Sequence, residues 1–434
     1  MSRAPSTRAS AREAWQRNVY AVTATSFMGY TGFTLVMPFL PLFIGQLGVT
    51  DPGQIAMWTG VSLGITPAMT AILAPAWGRL GDRFGRKIMV ERSLVSFVVL
   101  FAVMAFVTKA WHVLAIRAAQ GLFAGYGSLS VAMAAESAPR DRMPSAIGLV
   151  QTAQRIGPGV GPLIGGALAG LVGLRRAFLV TAVFYAAGLV LVHVMYDEQA
   201  THAVAANPRD LENLSNPENP PNPSNPSNLS NPPNPSNPPN PSTRVTFRNV
   251  LAFQNFILMM VVIFGLQFVD RSFGPVLPLY VEQAGRTHAQ VAMVSGVLFS
   301  IMACTGALGH HFCGRLVKRF PMRVVIAGGA AVAAAGSAMV GVSGNLIVMS
   351  VAATLLGLGI GAAMTASYSA AGSVIPAGAH GAGFGVLTSA SLVGMASSPF
   401  IAGFLGGSSI RVVFLVDVVV MAALATAVQK LMVD

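Results

Sequence analysis

The sequence predicts an all-α integral membrane protein in which twelve transmembrane helices form two related bundles of six. Three observations predict this fold: the composition, a succession of long apolar runs, and an internal repeat. Of the 434 residues, 53% are hydrophobic and only 10% are charged. Because so few charges cannot cover a water-facing surface of this size, the chain belongs in lipid.

The apolar runs are long enough to cross a bilayer, whose hydrocarbon core of about 30 Å needs about 20 apolar residues per helix. The first run is too long for the apolar part of a signal peptide, so we expect it to remain as helix one. The twelve predicted spans lie at about 18–44, 55–77, 91–108, 111–138, 145–171, 176–196, 255–282, 289–312, 323–342, 346–374, 381–405 and 411–430.

Between helices six and seven the composition changes abruptly to "NPENPPNPSNPSNLSNPPNPSNPPNPST". Repeated proline removes backbone donors and favours extended conformations, so we expect a disordered, moderately stiff linker. The predicted organisation is an N-terminal arm (1–17), a six-helix bundle (18–196), the linker (197–247) and a second six-helix bundle (248–431).

The cations are distributed unevenly between the two sets of loops. Nineteen of the 27 Lys and Arg residues fall on the side that holds the N-terminal arm, the linker and the C-terminus. Because cytoplasmic loops carry the excess of Lys and Arg, we expect both termini in the cytoplasm. The cations lie between apolar spans rather than in one patch with interleaved aromatics, which excludes a nucleic-acid partner.

An internal repeat at an offset of 236 to 237 residues relates the two halves. Pro38 and Pro41 are matched by Pro275 and Pro278, and "GRLGDRFGRK" from Gly78 is matched by "GRLVKRFPMR". Further matches recur downstream in the same order. The repeat predicts two bundles related by a parallel pseudo-twofold axis, with a binding site between them.

Three motifs carry a family resemblance: "GRLGDRFGRK" between helices two and three, "RAAQG" in helix four and "GPGVGPLIGG" in helix five. They resemble the major facilitator superfamily, specifically its twelve-helix drug:proton antiporters of the bacterial multidrug and tetracycline efflux type. The resemblance covers nearly the whole chain apart from the arm and linker. It implies a monomeric exporter of drug-like amphipathic molecules in the bacterial inner membrane. The implied partners are the substrate, protons and lipid, and the implied driving force is the proton gradient, without a cofactor.

Other functions are less well supported. A membrane enzyme lacks paired carboxylates or histidines on one helical face within the spans, and a phosphate loop is missing, so we expect no enzyme. A uniporter or importer of a metabolite on the same fold remains an alternative that the helix-five motif disfavours. A sensor that has lost transport is a further alternative.

The loop between helices two and three is a candidate cytoplasmic gate. Its glycines allow a tight turn at the surface. By family resemblance, its acid and a neighbouring arginine join a glutamate of helix four in a latch that bridges to helix eleven and holds the outward-open state. The alternative is that the loop is cationic only because cytoplasmic loops are rich in Lys and Arg. This alternative does not explain the acid, Asp82. The predicted gate residues are Gly78, Asp82, Arg83, Gly85, Arg86 and Glu136.

Helix five carries glycines at spacings of three to five residues, which form a groove for a neighbouring backbone. Its prolines add a kink. By resemblance this segment is a rigid hinge that blocks leak and favours export; the alternative is ordinary packing of small residues. The residues are Gly157, Pro158, Gly161, Pro162, Gly165 and Gly166.

Ionisable residues within the spans are costly and mark pathways by default. Asp270 near the middle of helix seven is the candidate proton carrier, because a midplane carboxylate can alternate between neutral and ionised forms. Adjacent residues point about 100° apart, so we expect Arg155 or Arg117 of the other half, rather than Arg271, as its partner. A structural ion pair that fixes helix seven is the alternative. Helix one lacks the acid that many antiporters of this type carry.

Three further groups complete the predicted site. Gln120 and Gly121 accompany Arg117 in the helix-four motif. Asp417 is a weaker proton candidate, close to the interface, and His310 is assigned an interfacial role. A cavity rich in adaptable apolar groups suits a bulky amphipathic compound better than a sugar, although each residue could instead pack between helices or face lipid. The predicted lining is Tyr30, Phe33, Met37, Tyr126, Gln151, Gln267, Phe273, Met364 and Tyr368.

Overall fold

The computed structural model describes residues 7–139, 142–197, 255–375 and 380–432, and in these ranges the regular structure is entirely helical. The first half contains α1 (Thr7–Leu35), α2 (Leu40–Gln46), α3 (Pro52–Phe84), α4 (Arg86–Met104), α5 (Ala110–Phe123), α6 (Tyr126–Ser137), α7 (Met143–Val172) and α8 (Leu174–Met195). The second half contains α9 (Phe256–Gln283), α10 (His288–Leu316), α11 (Met322–Val342), α12 (Leu346–Val374), α13 (His380–Ser408) and α14 (Ile410–Leu431).

These helices account for all twelve predicted spans, since helix one is α1 with α2, helix four is α5 with α6, and each other span is a single helix. Within the described residues, nine helices are individually long and apolar enough to cross a membrane, or ten with the bent pair α1–α2. The others fall short for local reasons: α4 carries several charges, and α5 and α6 are each too short.

Two of the spans are broken, which the sequence analysis did not predict. The axes of α1 and α2 differ by 49°. Pro38 and Pro41 lie at this bend, where they cannot donate to the helical ladder. In helix four the break lies at Gly125, whose φ of 126° is accessible mainly to glycine.

Helix α1 is hydrogen-bonded to the segment that follows α8, so the first and last spans of the first bundle are joined. Asn18 Nδ2 donates to Asp197 O at 2.7 Å, and Asp197 N donates to Asn18 Oδ1 at 2.9 Å. Because α1 begins at Thr7, part of the predicted arm is helical. The predicted linker, beyond Asp197, lies outside the described residues.

The repeat is visible in the packing inside each bundle. A Cβ atom placed on Gly157 of α7 would meet Phe27 of α1, and one placed on Gly394 of α13 would meet Phe264 of α9. Each residue of the second pair lies 237 positions after its counterpart in the first. The two bundles are therefore pseudo-symmetric in their helix contacts as well as in their sequence.

Candidate transport pathway

The two bundles meet along two seams, α3 against α13 and α7 against α10, which the repeat also relates. Gly60 of α3 lies against the carbonyl of Pro399, and Gly296 of α10 lies against the carbonyl of Pro162. Both contacts bring backbone directly onto backbone, which only small residues permit. They close the seams at the ends where α3 and α10 begin, a side called here the opposite face.

Toward the cation-rich face, where α1 begins, the seam helices separate. Gly148 near the start of α7, Gly314 near the end of α10 and Gly385 of α13 each have open space where a Cβ atom would be. Gln151 and Arg155, on the first turns of α7, are exposed. The seam is thus closed at the opposite face and open toward the cation-rich face.

Arg155 projects into the open part of the α7–α10 seam. It lies on the same stripe of α7 as Gly159, Pro162 and Gly166, one turn before the point where this stripe meets α10. Arg155 forms no ion pair with a described residue, and its charge acts across the seam on His310 and Tyr368.

His310, to which the sequence analysis assigned an interfacial role, is partly buried and lies six residues before the end of α10. Its Nδ1 lies 2.6 Å from Thr365 Oγ1 on α12. Helix α12 also supplies Tyr368, which is partly buried. Arg155, His310, Thr365 and Tyr368 together form what we call the polar seam cluster, with donors contributed by both bundles.

Asp270 lies on the face of α9 that meets the first bundle. Gly274, one helical turn further on, lies against Leu63 and Met37. The Asp270 carboxylate pairs with Arg271, with Oδ2 and Nε 3.1 Å apart, and the two side chains are 31% and 25% exposed. The expectation of a partner from the other half is not met in this conformation, because the long arginine side chain folds back onto its neighbour.

Arg117 of α5 is enclosed in the first bundle, with only 1% of the residue exposed. Its Nη1 donates to Gln120 Oε1 at 3.2 Å, and the ring of Phe33 lies 5.9 Å from its Cζ. Its Nε and Nη2 have no hydrogen-bond partner among the described residues. Gly121 lets this segment approach Thr66 of α3 closely. The helix-four motif thus holds a buried cation with unused donors.

The candidate gate is only partly described. Arg86 Nη1 and Glu136 Oε1 form an ion pair at 2.8 Å, linking α4 to α6. Gly85 turns the chain between α3 and α4 with φ 93°, and Arg83 is exposed beside the ring of Phe84. The side chain of Asp82 and the surroundings of Gly78 lie outside what the structure describes.

The helix-five motif packs on two helices at once. Gly157, Gly161 and Gly165 lie against the backbone of α1, and Gly166 lies against Ala292 of α10. Pro158 and Pro162 are accommodated inside a continuous α7. Leu163 N, near the second proline, donates to Ser300 Oγ across the seam at 3.1 Å. The motif forms the close-packed groove that its spacing predicts, and joins the two bundles through it.

The predicted cavity residues do not form one surface. Tyr30 and Tyr126 pack together inside the first bundle, with ring centroids 5.7 Å apart. Phe273 stacks on Phe414 within the second bundle and is 1% exposed, so it belongs to the packed core. Tyr126 and Met364 are likewise buried, whereas Phe33, Met37, Gln151, Gln267 and Tyr368 are at least partly exposed.

Asp417 is the residue that the sequence analysis most clearly misplaced. Its distance of six residues from Arg411 indicated the interface, yet it is fully buried between α14 and α9. The available signal was its position in the apolar stripe of α14, between Phe414 and Met421.

Among the described residues, no group of three His, Cys, Asp or Glu side chains could hold a metal ion.

The sequence as a whole matches the profile of the Major Facilitator Superfamily over residues 22–396 and 295–434. The chain belongs to this superfamily. Among relatives, the multidrug resistance protein MdtG of Yersinia enterocolitica is 32% identical over 319 residues, which cover 72% of this chain and 68% of the relative. A multi-drug resistance efflux pump PmrA homolog of Lactococcus lactis is 27% identical over 310 residues, which cover 70% and 67%.

Solved structures of the Major Facilitator Superfamily share the fold. A bacterial homolog of the human lysosomal transporter Spinster, in an inward-facing and unoccupied conformation, has a TM-score of 0.71 at 15% identity, covering 96% of this chain and 98% of that one. A D-xylose-proton symporter has a TM-score of 0.68 at 13% identity, covering 96% and 98%. The protein is therefore a multi-pass membrane transporter and not an enzyme.

Proposed function

We propose that this protein exports drug-like amphipathic molecules by proton antiport, with the two bundles alternating access around the seam. The main observation behind this proposal is the shape of the seam. It is closed at one face, and toward the other face it opens onto ionisable groups from both bundles. Such groups are rarely retained in a membrane interior without a role in binding or proton transfer. The multidrug resistance names of the relatives support drug export.

The proposed orientation places the cation-rich face in the cytoplasm of a bacterial inner membrane, with both termini on that side. The open seam then receives substrate from the cytoplasm or the inner leaflet. The proton gradient supplies the driving force, without a cofactor. Export requires opening of the opposite face, where the backbone contacts at Gly60 and Gly296 must separate.

Within this cycle, Asp270 is the proposed proton carrier. It is partly exposed in the open state, and its charge is balanced by Arg271 alone among the described ion pairs. Protonation would free Arg271, and loss of the proton would restore the pair. The polar seam cluster is the proposed contact for the polar end of the substrate, and the partly exposed Phe33 and Met37 are the proposed contacts for its hydrophobic body.

The test uses inside-out vesicles that hold a pH gradient and are challenged with cationic, zwitterionic and neutral drugs. We expect at least one drug class to collapse the gradient in the wild type and to lose this effect in Asp270→Asn. Glu282→Gln is the matched control, because it removes an acid from the same helix that pairs with His288 outside the seam.

Each other result has a definite meaning. Collapse unchanged by Asp270→Asn would place proton coupling elsewhere and make the Asp270–Arg271 pair structural. Substrate accumulation that needs no pH gradient would favour a uniporter, and accumulation in the reverse direction an importer. No response to any class would overturn drug export.

A further inference from the structure

A second buried acid lies behind the seam, in the second bundle. Asp417 occupies the middle of the stripe of α14 that faces the protein, whose other members are apolar. The residue is 0% exposed. Seven residues separate it from the start of α14, which places it roughly 10 Å below the opposite face.

The hydrogen bonds around Asp417 indicate which form the acid takes. Ser272 Oγ lies 2.7 Å from Asp417 Oδ2 and 2.9 Å from Val269 O. A serine hydroxyl has one proton, and the carbonyl oxygen of Val269 can only accept. If Asp417 carries a proton, it donates to Ser272 Oγ while the hydroxyl donates to Val269 O, and both contacts are used.

The ionised form would be poorly accommodated at this position. A carboxylate would receive at most the single Ser272 proton, and Oδ1 has no hydrogen-bond partner among the described residues. An unpartnered oxygen on a neutral acid costs far less in an apolar interior than a carboxylate with one donor. Phe414, one turn before Asp417, is buried against Phe273 and excludes water from that side.

The charged groups on the surrounding helices do not reach this acid. Helix α14 packs against α9, α11 and α13. On α9, Asp270 and Arg271 pair with each other, Glu282 pairs with His288, and the Tyr280 ring contacts Phe414. The other titratable residues of these helices are Arg323 of α11, His380 of α13, and Arg411 and Lys430 of α14, and all four stand near helix ends.

The arrangement connects Asp417 to the seam through α9. Ser272 lies two residues after Asp270, about 200° around the helix. Asp417, which contacts Ser272, and Asp270 are therefore on opposite sides of α9. The repeat places Thr181 at the position equivalent to Asp417, and among the described residues its hydroxyl donates to Ala177 O of its own helix. The acid and its contact with the neighbouring helix are therefore specific to the second bundle.

We propose that Asp417 is a second proton-binding site. In the conformation described it is a neutral acid that holds α14 to α9 through Ser272, and it exchanges its proton with the opposite face when the seams open there. The second statement rests on the proposed alternating access, whereas the first does not.

The first statement is tested by infrared spectroscopy of the purified full chain in lipid nanodiscs at neutral pH, without substrate. We expect a carboxylic-acid C=O band that is lost in Asp417→Asn and retained in Asp270→Asn. Ser272→Ala should move the band to higher frequency, because the acid loses its acceptor. A spectrum that Asp417→Asn leaves unchanged would overturn the proposal. The amide of that variant can still donate to Ser272, so we expect an unaltered thermal unfolding temperature.

The second statement is tested by locking the opposite face. A Cβ atom on Gly406 of α13 would lie 3.3 Å from Ala56 Cβ of α3, close to the Cβ–Cβ separation of a disulfide, and its nearest neighbour would be a side-chain methyl group of Val276. In a Cys304→Ser, Cys313→Ser background, oxidation of the Ala56→Cys, Gly406→Cys variant should slow deuterium exchange of the acid band by about tenfold or more. Equal exchange rates in the oxidised and reduced forms would overturn the link to seam opening. Because no drug is present, either result stands apart from the vesicle test of export.

Discussion

The two bundles pack alike but bury ionisable residues of opposite type. In the first bundle the enclosed group is Arg117, a cation with unused donors, and in the second it is Asp417, an acid with an unused oxygen. At the repeat-equivalent positions stand Ala353 and Thr181, neither of which is ionisable. Helix contacts are therefore maintained by the pseudo-symmetry, whereas the placement of buried ionisable residues departs from it. This asymmetry gives each bundle a different chemical part in the proposed cycle.

The prediction with the largest expected effect tests whether the two bundles pack equally tightly at equivalent positions. Gly165 sits on the carbonyl of Leu35, while the equivalent position of the second bundle holds Ala402. Because an added methyl group has no space in α7, we expect Gly165→Ala to cost about 3 kcal/mol or more. The reverse change, Ala402→Gly, should cost about 1 kcal/mol. Thermal unfolding in detergent measures both.

Gly148→Ala is the control for this pair, because it lies on the same helix with open space around it. We expect this change to stabilise the fold by up to about 1 kcal/mol, because alanine favours a helix more than glycine does. If Gly165→Ala unfolds at the same temperature as Gly148→Ala, the first bundle has more freedom than its backbone contacts indicate, and the proposed difference between the bundles disappears.

The second prediction concerns the buried cation. Since Arg117 leaves Nε and Nη2 unused, Arg117→Met should stabilise the fold by about 1–2 kcal/mol. We expect the same variant to lose drug-dependent proton movement in vesicles, because a costly buried charge is retained for function. Unfolding temperature and vesicle activity should thus change in opposite directions.

Arg92→Met provides the comparison, because Arg92 stacks on Trp77 at 3.5 Å and donates to Phe123 O. Its removal should cost about 1 kcal/mol. A loss of stability in Arg117→Met as large as that in Arg92→Met would show that Arg117 has a structural role like that of its neighbour.

The smallest expected effect concerns the gate, which the second bundle lacks because Lys318 and Pro321 replace Asp82 and Gly85. Glu136 is 49% exposed, so Glu136→Gln should change stability by about 0.5 kcal/mol or less. If the Arg86–Glu136 pair belongs to a latch for the outward-open state, its loss should raise the yield of the Ala56→Cys, Gly406→Cys cross-link about twofold, a small population shift. Lys318→Gln should leave that yield unchanged, and an equal rise in both variants would exclude a one-sided latch.

The spans and the repeat could be predicted because they depend on hydrophobic length and on matched residues. The helix breaks could not. Pro38 and Pro41 accompany a 49° bend, whereas their counterparts Pro275 and Pro278 lie inside a continuous α9. The same local pattern gives two outcomes, so the neighbouring helices decide between them.

The candidate site, like the helices, could be predicted only in part. Sequence reasoning selected Asp270 and Arg155 as candidates because charges within spans are rare, and their roles stay predictions; it also anticipated the close packing of the helix-five glycines. It did not identify the partner of Asp270, since side-chain direction is not contained in residue spacing. It also underestimated Asp417, because distance along the chain from Arg411 does not report burial.

The closure of the opposite face by backbone contacts has a pharmacological consequence. On the proposed orientation, a blocking compound applied from outside the cell meets Gly60, Gly296 and the carbonyls packed on them. Such a compound would first have to cross the bilayer and then enter from the cytoplasm, where it would encounter Arg155. Membrane permeability should therefore limit inhibitor potency in intact cells more than in inside-out vesicles.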